Sequence, residues 1–324
     1  MPGTAAAIPD RPWLVQSGDG RWAYGHGTRR APHWLPDDET GLAIGGRWVA
    51  SVIPGADGHS TVRLRERGND RVVADVVVPI WASAGAFAQA GLVVTGYGDG
   101  SMTTDGGLLL ISPIDASTSV VVPSGPFSPA LGSPAARGGV LVSPSGTRVA
   151  SNACGLKLCD TQVVDLATAT VSRPIQGGQG FLRALTDETI VTTDDDFQWI
   201  SARRIGDGSE VWRQRDSVLL APVAGLDGSV VGVVGSARTG WGVASIDAAG
   251  HVRDLTPRSR GRQPWPRIWT EFSTGSLVVV GGAGFADTVG TDRSVPVSIV
   301  AVKDGVASTT SSSVRLPAAT EPLR

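Results

Sequence analysis

Lysine is almost missing from this chain of 324 residues: Lys157 and Lys303 are the only two among 28 basic side chains. That arginine bias carries no functional meaning by itself. Histidine is also scarce, with His26, His33, His59 and His251, and no two of them have metal-ligand spacing or an H-E-x-x-H pattern. The two cysteines, Cys154 and Cys159, are too few for a structural zinc site, which usually takes four ligands. No G-x-S-x-G elbow, no P-loop and no S-x-D-x-G-x-x-W box occurs, so none of these motifs points to a hydrolase, a nucleotide site or a sialidase. A net charge of −2 provides no overall basic field for nucleic acid or an anionic membrane.

Long hydrophobic runs are absent as well. "GLLLI" (107–111) and "SLVVVGGAG" (276–284) fall far short of the roughly 20 residues that span a bilayer. "MPGTAAAIPD" has neither a basic n-region nor a sustained apolar h-region, so it does not read as a signal peptide. Either the protein is cytosolic or this chain starts after a removed leader or anchor.

What the chain does have is glycine (43), proline (21) and 41 % apolar residues, a mixture that suits many short strands and tight turns. No stretch keeps a 3.6-residue period. β-Branched runs of about five to eight residues recur instead, separated by turn residues. Residues 138–177 show one unit: "GGVLVSP", "TRVASNA", "TQVVDLA" and "VSRPI". Comparable four-strand units fill 41–80, 86–123, 180–215, 218–256 and 267–316. Four-strand units spaced about 40–50 residues apart predict propeller blades. The fold class is therefore all-β, a propeller of four-stranded antiparallel blades over 12–316, with 1–11 and 317–324 as flexible ends. Six blades are expected and seven are the alternative. The hairpin "PWLVQSGDGRWAYG" (12–25) would either help complete a seventh blade or add outer strands.

"SPSGTRVAS…TQVVDLATATV" (143–171) and "LDGSVVGVV…VASIDAAGHVRDLT" (226–256) resemble the repeat of TolB-type and WD-repeat-like propellers. "ARRIGDGSEVWRQ" (202–214) resembles the tryptophan-docking strands of quinoprotein-type propellers. The resemblance implies a fold and names no active site, because propellers host unrelated functions.

In such a blade, first-to-second and third-to-fourth turns emerge at one end, and the remaining loops and crossings at the other. The first set is tight here, as in "SPSGT" (143–147) and "LDGS" (226–229). The second set reads as long: "GYGDGSMTTDGG" (96–107), "DDDFQW" (194–199), "GSARTGW" (235–241), and the crossings "PIWASAGAF" (79–87) and "PRSRGRQPWPRIW" (257–269). Long loops on a rigid scaffold are where binding tends to sit. This end carries Trp34, Trp81, Tyr97, Trp199, Trp241, Trp265 and Trp269, either as recognition surface or as plugs between blades. Arg260 and Arg262 could meet an anionic partner. Asp99, Asp194 and Asp196 are loop carboxylates; alternation along a strand lets Asp194 and Asp196 share a hard cation such as Ca²⁺, or each caps its own loop.

The function expected from these features is a non-enzymatic, extracytoplasmic binding module, monomeric and without a cofactor. It would present the long-loop end to a protein, peptide or glycan. The alternative is a propeller hydrolase or lyase acting on a sugar or lactone with carboxylates near the ring axis. Cys154 and Cys159 bracket "GLKL" in one hairpin loop, where cross-strand cysteines come close enough for a disulfide. Such a bridge implies maturation in an oxidising compartment: periplasm, cell surface or exterior.

Overall fold

The computed structural model describes residues 12–16, 21–26, 33–98, 104–123, 125–126, 136–154, 159–172, 175, 180–194, 199–215, 218–225, 227–236, 238–255, 258, 268–270, 276–280, 293–303 and 306–316. The expected flexible ends, 1–11 and 317–324, lie outside them. No helix occurs among the described residues, and so no helix there is long and apolar enough to cross a membrane.

Three N-terminal strands, β1 (Pro12–Gln16), β2 (Trp22–His26) and β3 (His33–Trp34), precede the repeats. Blade 1 holds β4 (Thr40–Gly45), β5 (Trp48–Pro54), β6 (Ser60–Glu66) and β7 (Arg71–Val78). Blade 2 holds β8 (Trp81–Ala88), β9 (Gly91–Tyr97), β10 (Thr104–Ile111) and β11 (Thr118–Val122), with the short β12 (Gly125–Pro126) beside β10. Blade 3 holds β13 (Ala136–Val142), β14 (Arg148–Cys154), β15 (Cys159–Asp165) and β16 (Thr170–Val171). Blade 4 holds β17 (Gly180–Leu185), β18 (Thr189–Asp194), β19 (Trp199–Arg204) and β20 (Glu210–Arg215). Blade 5 holds β21 (Val218–Ala224), β22 (Val230–Ser236), β23 (Gly240–Ile246) and β24 (Val252–Asp254). After β25 (Ile268–Thr270), blade 6 holds β26 (Ser276–Val280), β27 (Arg293–Lys303) and β28 (Val306–Leu316). Blades 1 to 5 are antiparallel meanders with strands in chain order.

The seventh sheet corrects the expectation of six blades. β25 pairs β1 in antiparallel register, Leu14 opposite Trp269, giving the order β25-β1-β2-β3. Residues 268–270, expected as the first strand of the last repeat, thus belong to a sheet whose other strands come from the N-terminus. Among the described residues blade 6 keeps three strands. The first strands of successive blades lie against one another, β4 on β8, β8 on β13, β13 on β17, and β17 on β21. β21 lies on β26, β26 on β25, and β25 on β4, which closes the ring. Pairing the N-terminal strands with a segment from late in the chain closes the ring, which removes the open array's exposed ends.

The gaps between blades are the cores. Ala50, Leu64, Val78, Ile80, Leu92 and Ile111 fill the gap between blades 1 and 2. Val93, Leu108, Val149 and Val164 fill the next, then Ala150, Val163, Leu185 and Ile190. Ile200, Ala202, Trp212, Leu219, Val230 and Val234 join blades 4 and 5. Blades 1 to 4 therefore bury both faces, which is why their strands read as continuous apolar runs with little clean alternation.

Polar contacts accompany the four gaps from blade 1 to blade 5. The Ala82 N–H donates to Ser60 Oγ at 3.1 Å, and the Gln89 N–H to the Gly146 carbonyl at 3.0 Å. The Ser145 hydroxyl donates to Asp187 Oδ1 at 2.5 Å, and Gln214 Nε2 to the Gly250 carbonyl at 2.6 Å. Between the N-terminal sheet and blade 1, Leu14, Trp22, Tyr24, Leu35, Ile44 and Val49 form the apolar part. A Cβ on Gly41 would collide there with the Trp22 ring, so only glycine lets β4 approach this closely. Gly41→Ala should cost about 1–3 kcal/mol by forcing that seam apart, read as a drop in thermal midpoint. An unchanged midpoint would show that the seam can open without loss.

Candidate functional site

The most densely bonded polar group in the described residues was not foreseen. β-Ladder register places Gly41, Ser51, Arg63 and Asp75 side by side across blade 1. Glu39, just before β4, enters this row with its side chain fully covered. Arg65 clamps it twice, Nη1 to Oε2 at 2.5 Å and Nη2 to Oε1 at 2.5 Å. The Ser51 hydroxyl donates to Oε2 at 2.5 Å and Arg63 Nη1 to Oε1 at 2.8 Å. Arg63 turns its other edge to Asp75 at 2.7 and 2.8 Å. Asp70 lies 3.7 Å from Arg65 Nε and accepts the Tyr24 hydroxyl from the N-terminal sheet. Burial pushes the Glu39 carboxyl up, but hydrogen bonds from Arg65, Ser51 and Arg63 outweigh it and hold its pKa below the ordinary 4.5. Burial and the Asp70 hydrogen bond push the Tyr24 phenol above its ordinary value, so it stays protonated. Every Glu39 oxygen is engaged. The cluster ties blade 1 to the N-terminal sheet and has no open position for a substrate.

Other carboxylates are spent on turns. Asp207 takes the N–H and hydroxyl of Ser209 at 2.9 and 2.7 Å, and Asp227 those of Ser229 at 3.0 and 2.6 Å. Asp165 caps Ala167 and Thr168, and Asp247 caps Ala249 and His251. Asp115, fully exposed, is held at about 2 by the hydroxyls of Ser112 and Ser117. Asp105 caps Gly107 at 2.9 Å. These are short side-chain caps of hairpin backbone. Among the described residues no three His, Cys, Asp or Glu side chains group as a cation site. Asp194 ends β18 opposite Gly180, while Asp99 and Asp196 lie outside the described residues.

The expected long-loop end is less lopsided than the sequence suggested. "PIWASAGAF" is mostly the innermost strand β8, leaving only Pro79 and Ile80 as the crossing. β22 and β23 run on until residues 237–239 alone separate them, and β18 and β19 leave 195–198. β-Branched and aromatic residues at the strand ends extend the ladders into what reads as loop.

Exposed aromatic rings distinguish this end more clearly than loop length does. Trp81 opens β8 and Phe181 lies second in β17, with 37 % and 43 % of their surfaces exposed. Each stands one residue before the ladder shifts register, between Ala82 and Ala84 and between Leu182 and Ala184. The two rings thus occupy the same position in blades 2 and 4, at the long-loop end of the innermost strand. Trp81 meets Tyr97, its cross-strand partner, edge-on at 6.5 Å. Phe181 lies 5.6 Å below the guanidinium of Arg183, which sits in the bulge and donates Nε–H to Thr193 Oγ1 at 3.0 Å. Burial lowers the pKa of Arg183. Bulges on inner strands re-aim side chains in this way. The sequence reading named Trp81 and Tyr97 but missed Phe181 and Arg183; laying blade 4 on blade 2 in register would have found both.

The other expected aromatics are more committed. Arg213 and Arg215 stack on Trp199 at 4.1 and 5.4 Å, and Arg21 on Trp34 at 4.7 Å, each leaving a half-buried ring. His33 stacks on Tyr24 at 5.3 Å. Trp241 lies second in β23 opposite Gly235, and Trp269 pairs with Leu14. Trp265, Arg260 and Arg262 lie outside the described residues. A cavity of about 400 Å³ opens at the opposite, tight-turn end between Arg148, Glu188, Arg204 and Asp207, where opposing charges offset one another.

No protein-family model and no curated protein sequence matches the chain. Solved structures match its architecture. TolB from Acinetobacter baumannii aligns with a TM-score of 0.48 and 13 % identity over 98 % of this chain and 67 % of that one. The β-propeller domain of Cps50 (Swd1) from Myceliophteria thermophila gives 0.51 and 12 % over 88 % and 96 %. A 6-phosphogluconolactonase candidate from Bacteroides uniformis gives 0.55 and 12 % over 96 % and 99 %. The chain folds as a β-propeller. At such identities the likeness extends to the fold alone, and the propellers it matches differ in function.

Neutralising Glu39 would leave Arg65 covered without its main counter-charge, so Glu39→Gln should cost about 3 kcal/mol, as when a buried pair loses one partner. Arg63→Gln removes a more exposed pair and should cost about 1 kcal/mol or less. Because folding depresses the Glu39 pKa, its contribution is present above about 4.5 and fades as pH falls further. Urea melts should therefore converge for the wild type and Glu39→Gln at low pH; a constant gap would refute the assignment.

Proposed function

We propose that this propeller is an extracytoplasmic binding module whose long-loop end receives a protein, peptide or glycan. The observation that carries this reading is the repeated placement of Trp81 and Phe181, exposed at equivalent starts of two inner strands. Aromatic side chains left in water at repeated positions of a rigid scaffold cost solvation and fit a recognition role. Arg183 beneath Phe181 and Tyr97 beside Trp81 supply the polar contacts that would orient a ligand. The alternative, a hydrolase or lyase, needs paired carboxylates facing one opening, whereas the described turn aspartates and Glu39 are already engaged in caps and ion pairs.

Trp81→Ala and Phe181→Ala should each weaken binding to a ligand found on glycan and peptide arrays by at least about tenfold, the loss typical of an aromatic anchor. Because both rings are exposed, the thermal midpoint should hardly move. Unaltered binding in both variants, or turnover of a sugar or lactone that neither one impairs, would overturn the reading.

The compartment rests on the cysteines. Cys154 and Cys159 are direct cross-strand partners at the loop end of β14 and β15, a pairing that brings two Cβ atoms within about 4.5–5.5 Å. A disulfide here closes a very short ring, so it adds little chain entropy and mainly pins one loop of the long-loop end. Mass spectrometry of unreduced protein from its native compartment should find the intact bridge; two free thiols would remove the case for oxidative maturation.

A further inference from the structure

The outer edges of the blades differ sharply. β3 and β16 end their sheets with two residues each, and β24 with three. β20 is longer but carries Glu210, Arg213 and Arg215, while β7 carries Arg71 and Asp75. These are the usual ways to keep an edge from pairing with another chain: brevity and charge. β7 and β20 also meet their neighbours through register shifts, which twist an edge away.

Blade 6 uses none of these devices. β28 runs eleven residues, "VASTTSSSVRL", with no proline and one charge, Arg315. It pairs β27 without interruption from Arg293 opposite Leu316 to Lys303 opposite Val306, and no register shift breaks the ladder. Blade 6 has three strands where the other sheets have four or five, and no further strand pairs β28 among the described residues. The longest outer edge described, with a single charge in eleven residues, therefore borders the position that a fourth strand fills elsewhere.

We propose that β28 is a dimerisation strand, pairing antiparallel with β28 of a second copy of this chain about a two-fold axis at Ser311. The charge pattern favours this occupant. Centred on Ser311, the pairing sets Arg315 against Ala307 of the other copy, so the two arginines never face each other. Val306 meets Leu316, Thr309 meets Ser313 and Thr310 meets Ser312, pairs that suit a ladder of β-branched and hydroxyl side chains. An antiparallel edge pairing is self-complementary, as a two-fold interface requires. The two three-stranded sheets would become one sheet of six strands. One strand pair buries little surface, so the association should be weak and concentration-dependent.

The test is sedimentation equilibrium of the full chain from low micromolar to several hundred micromolar, reading the mass against the 33.3 kDa protomer. The wild type should move toward twice that mass. Ser311→Lys and Ser311→Glu each set like charges opposite each other at the axis, so each should remain monomeric with wild-type circular dichroism. An equimolar mixture of the two should dimerise again, which a folding defect could not produce. A wild type monomeric throughout overturns the proposal. So does a dimer that both variants retain, or a mixture that stays monomeric; edge capture by a Ser/Thr-rich peptide in place of a second copy would give that last pattern.

Discussion

A ring of blades has no centre of its own; its stability is the sum of the gaps between neighbours, and one open gap exposes two apolar sheet faces at once. Here the gap between the N-terminal sheet and blade 1 carries that burden. Its apolar part is joined by a polar one: Glu39 held by Arg65, Ser51 and Arg63 within blade 1, and Tyr24 reaching across to Asp70. A buried ion pair is an uncertain source of net stability, because desolvation consumes much of its Coulombic gain. Its stronger effect is on specificity. Arg65 holds Glu39 and approaches Asp70 within blade 1, and the Tyr24 hydroxyl bonds that same Asp70 from the N-terminal sheet, so the seam is aligned at this point.

The closing sheet is assembled from two segments far apart in the chain. β25 supplies its inner strand from residues 268–270, while β1, β2 and β3 supply the rest from residues 12–34. Pairing segments so distant in sequence costs loop-closure entropy that local hairpins avoid. Blades 1 to 5 are meanders of neighbouring strands and can form locally; the closing sheet cannot form until the ring exists. An aligned seam on one side of that sheet reduces the arrangements that must be searched on the other.

The repeats were readable because the physics that makes them is local. Units such as "GGVLVSP…TRVASNA…TQVVDLA" show their strands through β-branched runs, and their turns through D-G-S and S-P-S-G, whose aspartates and serines do cap the hairpins. The assignment of residues 268–270 was not readable, since nothing in "IWT" says whether it pairs forward with 276–280 or back to 12–16. Glu39 was likewise invisible: in sequence it is one more acid in "PDDE", and only ladder register brings Ser51 and Arg63 alongside. Loop length misled for a related reason. Aromatic residues such as Trp81 read as loop punctuation, yet they extend strands.

The aromatic rim shows how a repeated scaffold presents different side chains at one position. A bulge at one position of the inner strand is tolerated in blades 1 to 5, since their ladders shift there between Gly41 and Ala43, Ala82 and Ala84, Gly138 and Val140, Leu182 and Ala184, and Leu220 and Val223. The bulge is therefore part of how the inner strands fit the ring. What varies is the residue the scaffold presents beside it: Thr40 in blade 1, Trp81 in blade 2, Phe181 in blade 4 and the buried Leu219 in blade 5. Because the backbone geometry repeats while the side chain does not, the ring can change what it presents at this position without changing how it folds. The polar seam and the aromatic rim thus lie apart, with buried charge inside blade 1 at the closing seam and the Trp81 and Phe181 rings exposed at the ends of inner strands.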